Sequence, residues 1–191
     1  PLAALTASET VIYGRFGYGI SVVHERWNID RPYTAYAAKY EPRGRLEFVG
    51  PVEMRAVFPE VYRRATALRP GAIERSAESW DWIVTDHPPY RGGASAYFHV
   101  AFHGDSGDLD GYARYRIKSG ALRVDELVSV TDDAHAALWR LCFDVDLTSS
   151  TAARQRPVDD PMPWMLAEPG RLQRTPYDGL WVRLVDVQAA L

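Results

Sequence analysis

Hydrophobic and polar positions alternate along this chain with two different periods, and the switches between them mark its elements. Residues 1–6 form a short apolar run that reads as a central strand. A brief helix follows, with Ser8 or Thr10 available to accept from its free N–H groups. Gly14 weakens that helix. Gly17 ends it, because glycine accepts the left-handed conformation at a helix C-terminus. Residues 20–30 are β-rich. Val23, Glu25, Trp27 and Ile29 fall on one face, and Val22, His24, Arg26 and Asn28 on the other, which predicts a strand. Residues 31–45 break the pattern with Pro32, Pro42 and Gly44, and Tyr33, Tyr36 and Tyr40 fall between them. A packed linker between two units is expected there.

From residue 46 the pattern resumes. Residues 46–49 read as a strand. Pro51 opens a helix through Leu68, since proline in the first turn loses no hydrogen bond. Met54, Val57, Phe58, Val61, Tyr62 and Ala65 make its apolar stripe. A second helix is expected over 76–85, with Trp80, Ile83 and Val84 facing inward. The chain then turns to β: alternating residues 95–103, a turn at 105–108, a hairpin return over 111–117, a turn at Ser119 and Gly120, and a third strand over 122–130. Thr131 caps a helix over 132–143, with Asp132 and Asp133 at its positive end. A strand over 147–152, a proline-rich stretch over 158–163, a short helix over 164–167 and a last strand over 180–187 complete the order. Strands and helices in that order predict an α/β layered fold, a mixed sheet flanked by helices.

Composition changes little. The 191 residues are 47% hydrophobic, 25% charged and 12% aromatic, ordinary for a globular protein. A net charge of −3 provides no basic stripe for nucleic acid. Local basic clusters at Arg63 and Arg64 and at residues 154–156 read as solvated faces. The single cysteine, Cys142, excludes an internal disulfide and fits a reducing, cytoplasmic setting. Between Leu141 and Phe143 it reads as a small core residue, with a catalytic thiol as the alternative. No apolar run approaches the roughly 18 residues of a membrane-crossing helix, so no membrane partner is expected.

His99 and His103 lie four apart in a strand, about 13 Å from each other, too far to share a metal. No metal site is expected. Tyr33, Tyr36 and Tyr40 followed by Arg43 and Arg45 admit base stacking, but a packed linker accounts for them without nucleic acid. Tyr13, beside Ile12 and Phe16, reads on spacing alone as a packed aromatic in a short helix. Ser8 and Glu9 read as helix-capping positions.

The run ASETVIYGRFGYG, residues 7–19, changes that reading. It places Tyr13 four residues before Gly17, where N-acetyltransferases of the GNAT superfamily carry the tyrosine that protonates the leaving coenzyme A thiolate. Four further stretches follow in order: Gly111-Tyr112-Ala113-Arg114-Tyr115, Val124-Asp125-Glu126-Leu127, residues 133–140 (DAHAALWR) and residues 178–183 (DGLWVR). With two GNAT-like units in tandem, these resemble the Eis (enhanced intracellular survival) family of bacterial acetyltransferases. The first motif is fairly specific, and the others are supportive.

The resemblance implies transfer of acetyl from acetyl-CoA to primary amines, among them aminoglycosides, polyamines or protein lysines. It implies a catalytic GNAT domain ending at residues 1–31 and a linker at 32–45. A central GNAT-like domain without its own cofactor would span 46–176, and residues 177–191 would begin a domain like sterol carrier proteins. It further implies a hexamer, and a cytoplasmic protein with some members secreted. By the motif match Tyr13 is the general acid, and Ser8 and Glu9 meet acetyl-CoA at a helix N-terminus. The expected general base, a C-terminal carboxylate, is not matched by Leu191. The pyrophosphate loop expected ahead of Tyr13 is absent too, so the chain reads as an internal piece, inactive alone. In the central unit Thr131-Asp132-Asp133-Ala134 stands where a glycine-rich loop would hold pyrophosphate. Its carboxylates would repel phosphate, so no coenzyme A is expected there. The alternative reading is a non-catalytic GNAT-like scaffold or interaction module. A cleft rich in Asp and Glu would favour polycationic acceptors.

Overall fold

Eight strands join one sheet in the computed structural model, which describes residues 2–41, 43–67, 69 and 71–190. Pro1, Pro42, Leu68 and Leu191, which carried expectations above, lie outside the described residues, as does Pro70. In chain order the strands are β1 (Leu2–Leu5), β2 (Gly19–Asp30), β3 (Arg45–Val49), β4 (Phe98–His103), β5 (Leu109–Lys118), β6 (Ala121–Ser129), β7 (Ser150–Pro157) and β8 (Gln173–Leu184). The helices are α1 (Thr10–Gly14), α2 (Pro51–Ala67), α3 (Ala77–Val84), α4 (Asp132–Asp144) and α5 (Met162–Met165). The strand order is β1-β8-β2-β7-β6-β5-β4-β3. Only β6 and β7 pair in parallel, over Ala121–Val124 against Ser150–Ala153, and the other neighbours are antiparallel. The expected α/β class, a mixed sheet flanked by helices, is what the chain forms.

Apolar residues leave both faces of the sheet, so each face needs a cover. On one face α4 buries Leu138, Trp139 and Phe143 against Val100, Phe102 and Ala113. On the other, α2 and α3 bury Met54, Phe58, Val61 and Trp80 against Ala101 and Tyr112. Phe58 stacks on Tyr112 with ring centroids 4.1 Å apart. The α2 stripe follows from residues three and four apart sharing one helix face. Thr131 caps α4 as expected: its hydroxyl accepts from the Ala134 N–H at 3.2 Å.

Gly111 shows how closely α4 seats. A Cβ there would stand 2.9 Å from Leu138 Cδ1, 3.0 Å from Ala134 Cβ and 3.1 Å from the Val128 carbonyl oxygen. Gly111→Ala is therefore expected to destabilise the fold by about 1–3 kcal/mol through overpacking, as measured by urea denaturation. Unchanged stability would mean that α4 can shift away from β5 at no cost.

The structure departs from the expected elements at several points. The N-cap of α1 is Glu9, with no side-chain cap hydrogen bond, so neither Ser8 nor Thr10 caps that helix. β7 starts at Ser150 rather than 147, because Leu147 turns outward in the left-handed region at φ 61°. α5 starts two residues ahead of the expected helix. β8 starts at Gln173, seven residues early, and pairs with β2 on one side and β1 on the other. The tyrosine-rich segment straps α4. Tyr36 donates to the Ala136 carbonyl at 2.8 Å, Tyr40 to that of Asp133 at 3.1 Å, and Arg140 to that of Thr34 at 2.7 Å.

Candidate functional site

The end of β1 leads straight into the motif run. Ser8 and Glu9 are exposed between β1 and α1, and Tyr13 is half-buried. Its ring meets Tyr18 edge-on at 6.1 Å, and its carbonyl accepts from the N–H groups of Phe16 and Tyr18. Gly17, at φ 80°, turns the chain into β2, the conformation for which glycine was expected.

Beside this run opens a cleft of about 1200 Å³. Thr6 and Ala7 border it next to Ser8. Its walls come from β2, β7 and β8, from β6 with the start of α4, and from the end of α2. Ser8, Glu9 and Tyr13 do not line it; they stand in the run that continues from its edge.

A buried ionic network forms the cleft's floor. β6 and β7 part company after Val124 and Ala153: β6 continues against β5, and β7 continues against β2. The Arg156 side chain reaches back across that gap and donates to the Leu127 carbonyl at 3.1 Å. Its Nε donates to Asp160 Oδ2 at 3.1 Å, and its Nη2 donates to the same oxygen. Asp160 Oδ1 accepts from the Met162 N–H at 3.0 Å. His135 Nε2 lies 3.0 Å from the same oxygen, off the line of a full hydrogen bond. The guanidinium also lies over the rings of Trp27 and Trp139, 5.7 and 5.2 Å from their centroids. Arg156 is 6% exposed and Asp160 3%. Burial alone would raise the Asp160 carboxyl, but the Arg156 charge, with help from His135, outweighs it and holds Asp160 well below the usual carboxylate range. Arg156 is thus no part of a solvated face, a correction to the reading of residues 154–156; Arg154 does stand exposed.

A second buried acid, Glu25, accepts from Trp27 Nε1 at 2.7 Å and from Arg174 Nε and Nη2 at 2.7 and 2.9 Å. Burial pushes this carboxyl up, and the hydrogen bonds from Arg174 and Trp27 more than reverse the push. The sequence carried one signal of it, an acid on the apolar face of β2. His24, on the cleft side of β2, is pushed down by burial and then by the Arg156 charge, which leaves it neutral at pH 7. On the cleft's opposite wall Arg75 pairs with Glu126 and covers the rings of Tyr62 and Trp80.

The remaining candidates lie elsewhere. His99 is buried against Phe58 and is pushed down to about 4, first by burial and then by Arg114. His103 sits at the end of β4, its Nδ1 3.2 Å from the Gly107 carbonyl. Cys142 is fully buried, and burial pushes its thiol up to about 12, so it is a core residue and not a nucleophile. Among the described residues no three His, Cys, Asp or Glu side chains are grouped to hold a metal.

The fold is thus that of a mixed-sheet α/β protein with a cleft beside a strand–helix–glycine run. Residues 71–184, more than half of the chain, match the family described as acetyltransferase (GNAT) domain, and the chain belongs to that family. It is 39% identical over its whole length to an uncharacterised N-acetyltransferase of Streptomyces avermitilis, covering 49% of that protein. It is 37% identical to the N-acetyltransferase Eis of Mycobacterium tuberculosis, covering 48% of it. The solved structure of Eis1 from Mycobacterium abscessus superposes on 99% of this chain with a TM-score of 0.79 at 29% identity, and the match covers 48% of that structure. The chain spans about half the length of the curated relatives it matches.

Proposed function

We propose that this chain belongs to an N-acetyltransferase that moves acetyl from acetyl-CoA to primary amines, with Tyr13 as general acid. Acetyl transfer to an amine needs a proton for the departing thiolate, and a tyrosine ordinarily keeps its proton at neutral pH. The observation that carries the reading is the Tyr13 run itself. It starts at the cleft edge formed by Thr6 and Ala7 and ends at a left-handed Gly17. In this reading Ser8 and Glu9 meet acetyl-CoA. Residues 1–31 close the catalytic unit, 46–176 form a central unit without cofactor, and 177–191 begin a domain like sterol carrier proteins. The acceptor is an aminoglycoside, a polyamine or a lysine side chain, and the assembly is a cytoplasmic hexamer.

A second reading, a non-catalytic scaffold, draws on two observations. The gap between β6 and β7 is filled by Arg156, and the α4 N-terminus is occupied by its own Thr131 cap beside two carboxylates. The deciding experiment is thiol release from acetyl-CoA by the protein at its full natural length, with each class of amine in turn. Amine-dependent release supports acetyl transfer, and none with any amine leaves the scaffold.

A further inference from the structure

Where β6 and β7 part, the cleft holds three side chains to which acetyl transfer gives no part. Ser129 ends β6, His135 lies near the start of α4, and Asp160 follows the end of β7. All three line the cleft. β6, α4 and β7 make a parallel crossover, and ligands of open sheets gather outside the carboxyl ends of strands that part in this way. A strand end that turns into a helix is also a place where a serine stands exposed above a sheet as a nucleophile.

The three are joined in series. The Ser129 hydroxyl lies 3.3 Å from His135 Nδ1, and His135 Nε2 lies 3.0 Å from Asp160 Oδ1. His135 is 7% exposed, and Arg156 with the Met162 N–H holds the Asp160 carboxylate in place. A carboxylate at Nε2 selects the tautomer with its proton there, which leaves the Nδ1 lone pair for the serine hydroxyl. The serine contact is long and the carboxylate contact off-line, as such contacts often are until a substrate tightens them. Beside Ser129, Thr131 takes the Ala134 N–H. The N–H groups of Asp132 and Asp133 have no partner among the described residues. They are donors for an oxyanion that forms on a carbonyl attacked by Ser129.

We propose that Ser129, His135 and Asp160 form a serine hydrolase site for neutral or cationic carboxylic esters. Ser129 Oγ bonds to the ester carbonyl carbon while His135 Nδ1 takes the hydroxyl proton. The tetrahedral adduct then breaks its bond to the alkoxide, which leaves as the alcohol with the proton from Nδ1. Water, losing a proton to Nδ1, adds to the acyl-serine, and the carboxylic acid departs as Oγ takes that proton back. Ester and water become acid and alcohol, with no further reactant. Asp160 is a positioning residue that orients the imidazole and steadies its charged form. The Asp132 and Asp133 carboxylates beside the oxyanion donors set the substrate's charge, since they repel anionic esters and coenzyme A phosphates alike. This activity does not rest on the acetyl-transfer reading.

The test uses the protein at its full natural length with p-nitrophenyl acetate, read as nitrophenolate release, and a fluorophosphonate label located by peptide mass spectrometry. The label should fall on Ser129 and be strongly slowed in His135→Gln. Ser129→Ala should lower kcat/KM for the ester by at least about 10²-fold and abolish the label. Equal hydrolysis by wild type and Ser129→Ala, no hydrolysis above buffer, or a label on another residue overturns the site. Thermal melts check that each variant is folded at the assay temperature, and the label on wild type decides the site even where a variant melts early. Asp160→Asn, assayed below its own melting temperature, should lower the apparent pKa of the pH–rate profile, because an imidazolium without its carboxylate is less stable. An unmoved profile overturns the part given to Asp160. If no amine yields thiol from acetyl-CoA, the acetyl-transfer reading fails, and the ester assay still decides this site.

Discussion

Tyr13→Phe, in the protein at its full natural length, is expected to lower kcat by about 10²- to 10⁴-fold, the usual worth of a positioned general acid. The substitution removes one hydroxyl. The ring remains edge-on to Tyr18, and the backbone bonds that close the turn at Gly17 remain. Stability should therefore change by less than about 1 kcal/mol. A proton delivered only as the thiolate leaves acts on the transition state alone, so kcat and kcat/KM should fall together while binding of acetyl-CoA is kept. Steady-state thiol release and a thermal melt of the same preparation separate these effects. Unchanged turnover would remove Tyr13 from the mechanism. Loss of both turnover and stability would make the tyrosine a packing residue, as its spacing alone suggested.

Periodicity made most of the fold legible, and the places where it failed share a cause. The β4–β6 meander was legible because its β-rich runs stand between turn residues at 105–108 and at Ser119 and Gly120, and helices already visible in the pattern cover both of its faces. The expected last strand begins only after Pro176 and Gly179, residues disfavoured inside strands, whereas β8 runs through both. Gly179 is in fact required for packing, since a Cβ there would stand 2.5 Å from His24 Nδ1. Arg156 read as solvated because its neighbours Arg154 and Gln155 are polar. What buries it is a partner four residues on and a carbonyl on another strand, and no local pattern encodes either. The cleft was less legible still. Its wall joins β2 to β8, and the Glu25–Arg174 pair within it spans 149 positions of sequence. The Tyr13 run was readable only as a motif, because a half-buried phenol in a five-residue helix leaves no periodic trace.

Asp160→Asn is expected to cost about 3–5 kcal/mol, the range for removing one partner of a buried ion pair. The change keeps the side chain's size and removes its charge. It leaves Arg156 buried against two tryptophans with the Leu127 carbonyl as its remaining full-strength acceptor, and it turns an amide N–H₂ or a weaker acceptor toward donors. The pH dependence has a definite sign. The folded-state carboxyl lies below its unfolded value near 3.9, so its stabilisation is fully present above about pH 4 and is lost as pH falls toward the folded value. Urea denaturation should therefore show a gap between wild type and Asp160→Asn that is constant near neutrality and narrows in acid. Replacing both partners, as Arg156→Met with Asp160→Leu, should recover much of the loss, because two apolar groups carry no desolvation cost. Such a double variant also separates two roles of the network. If it regains stability yet the divergence of β6 and β7 becomes accessible to ligands, the pair is kept to close that gap. If it regains stability and nothing enters, the pair is one solution among several to filling a core that the splayed strands leave open.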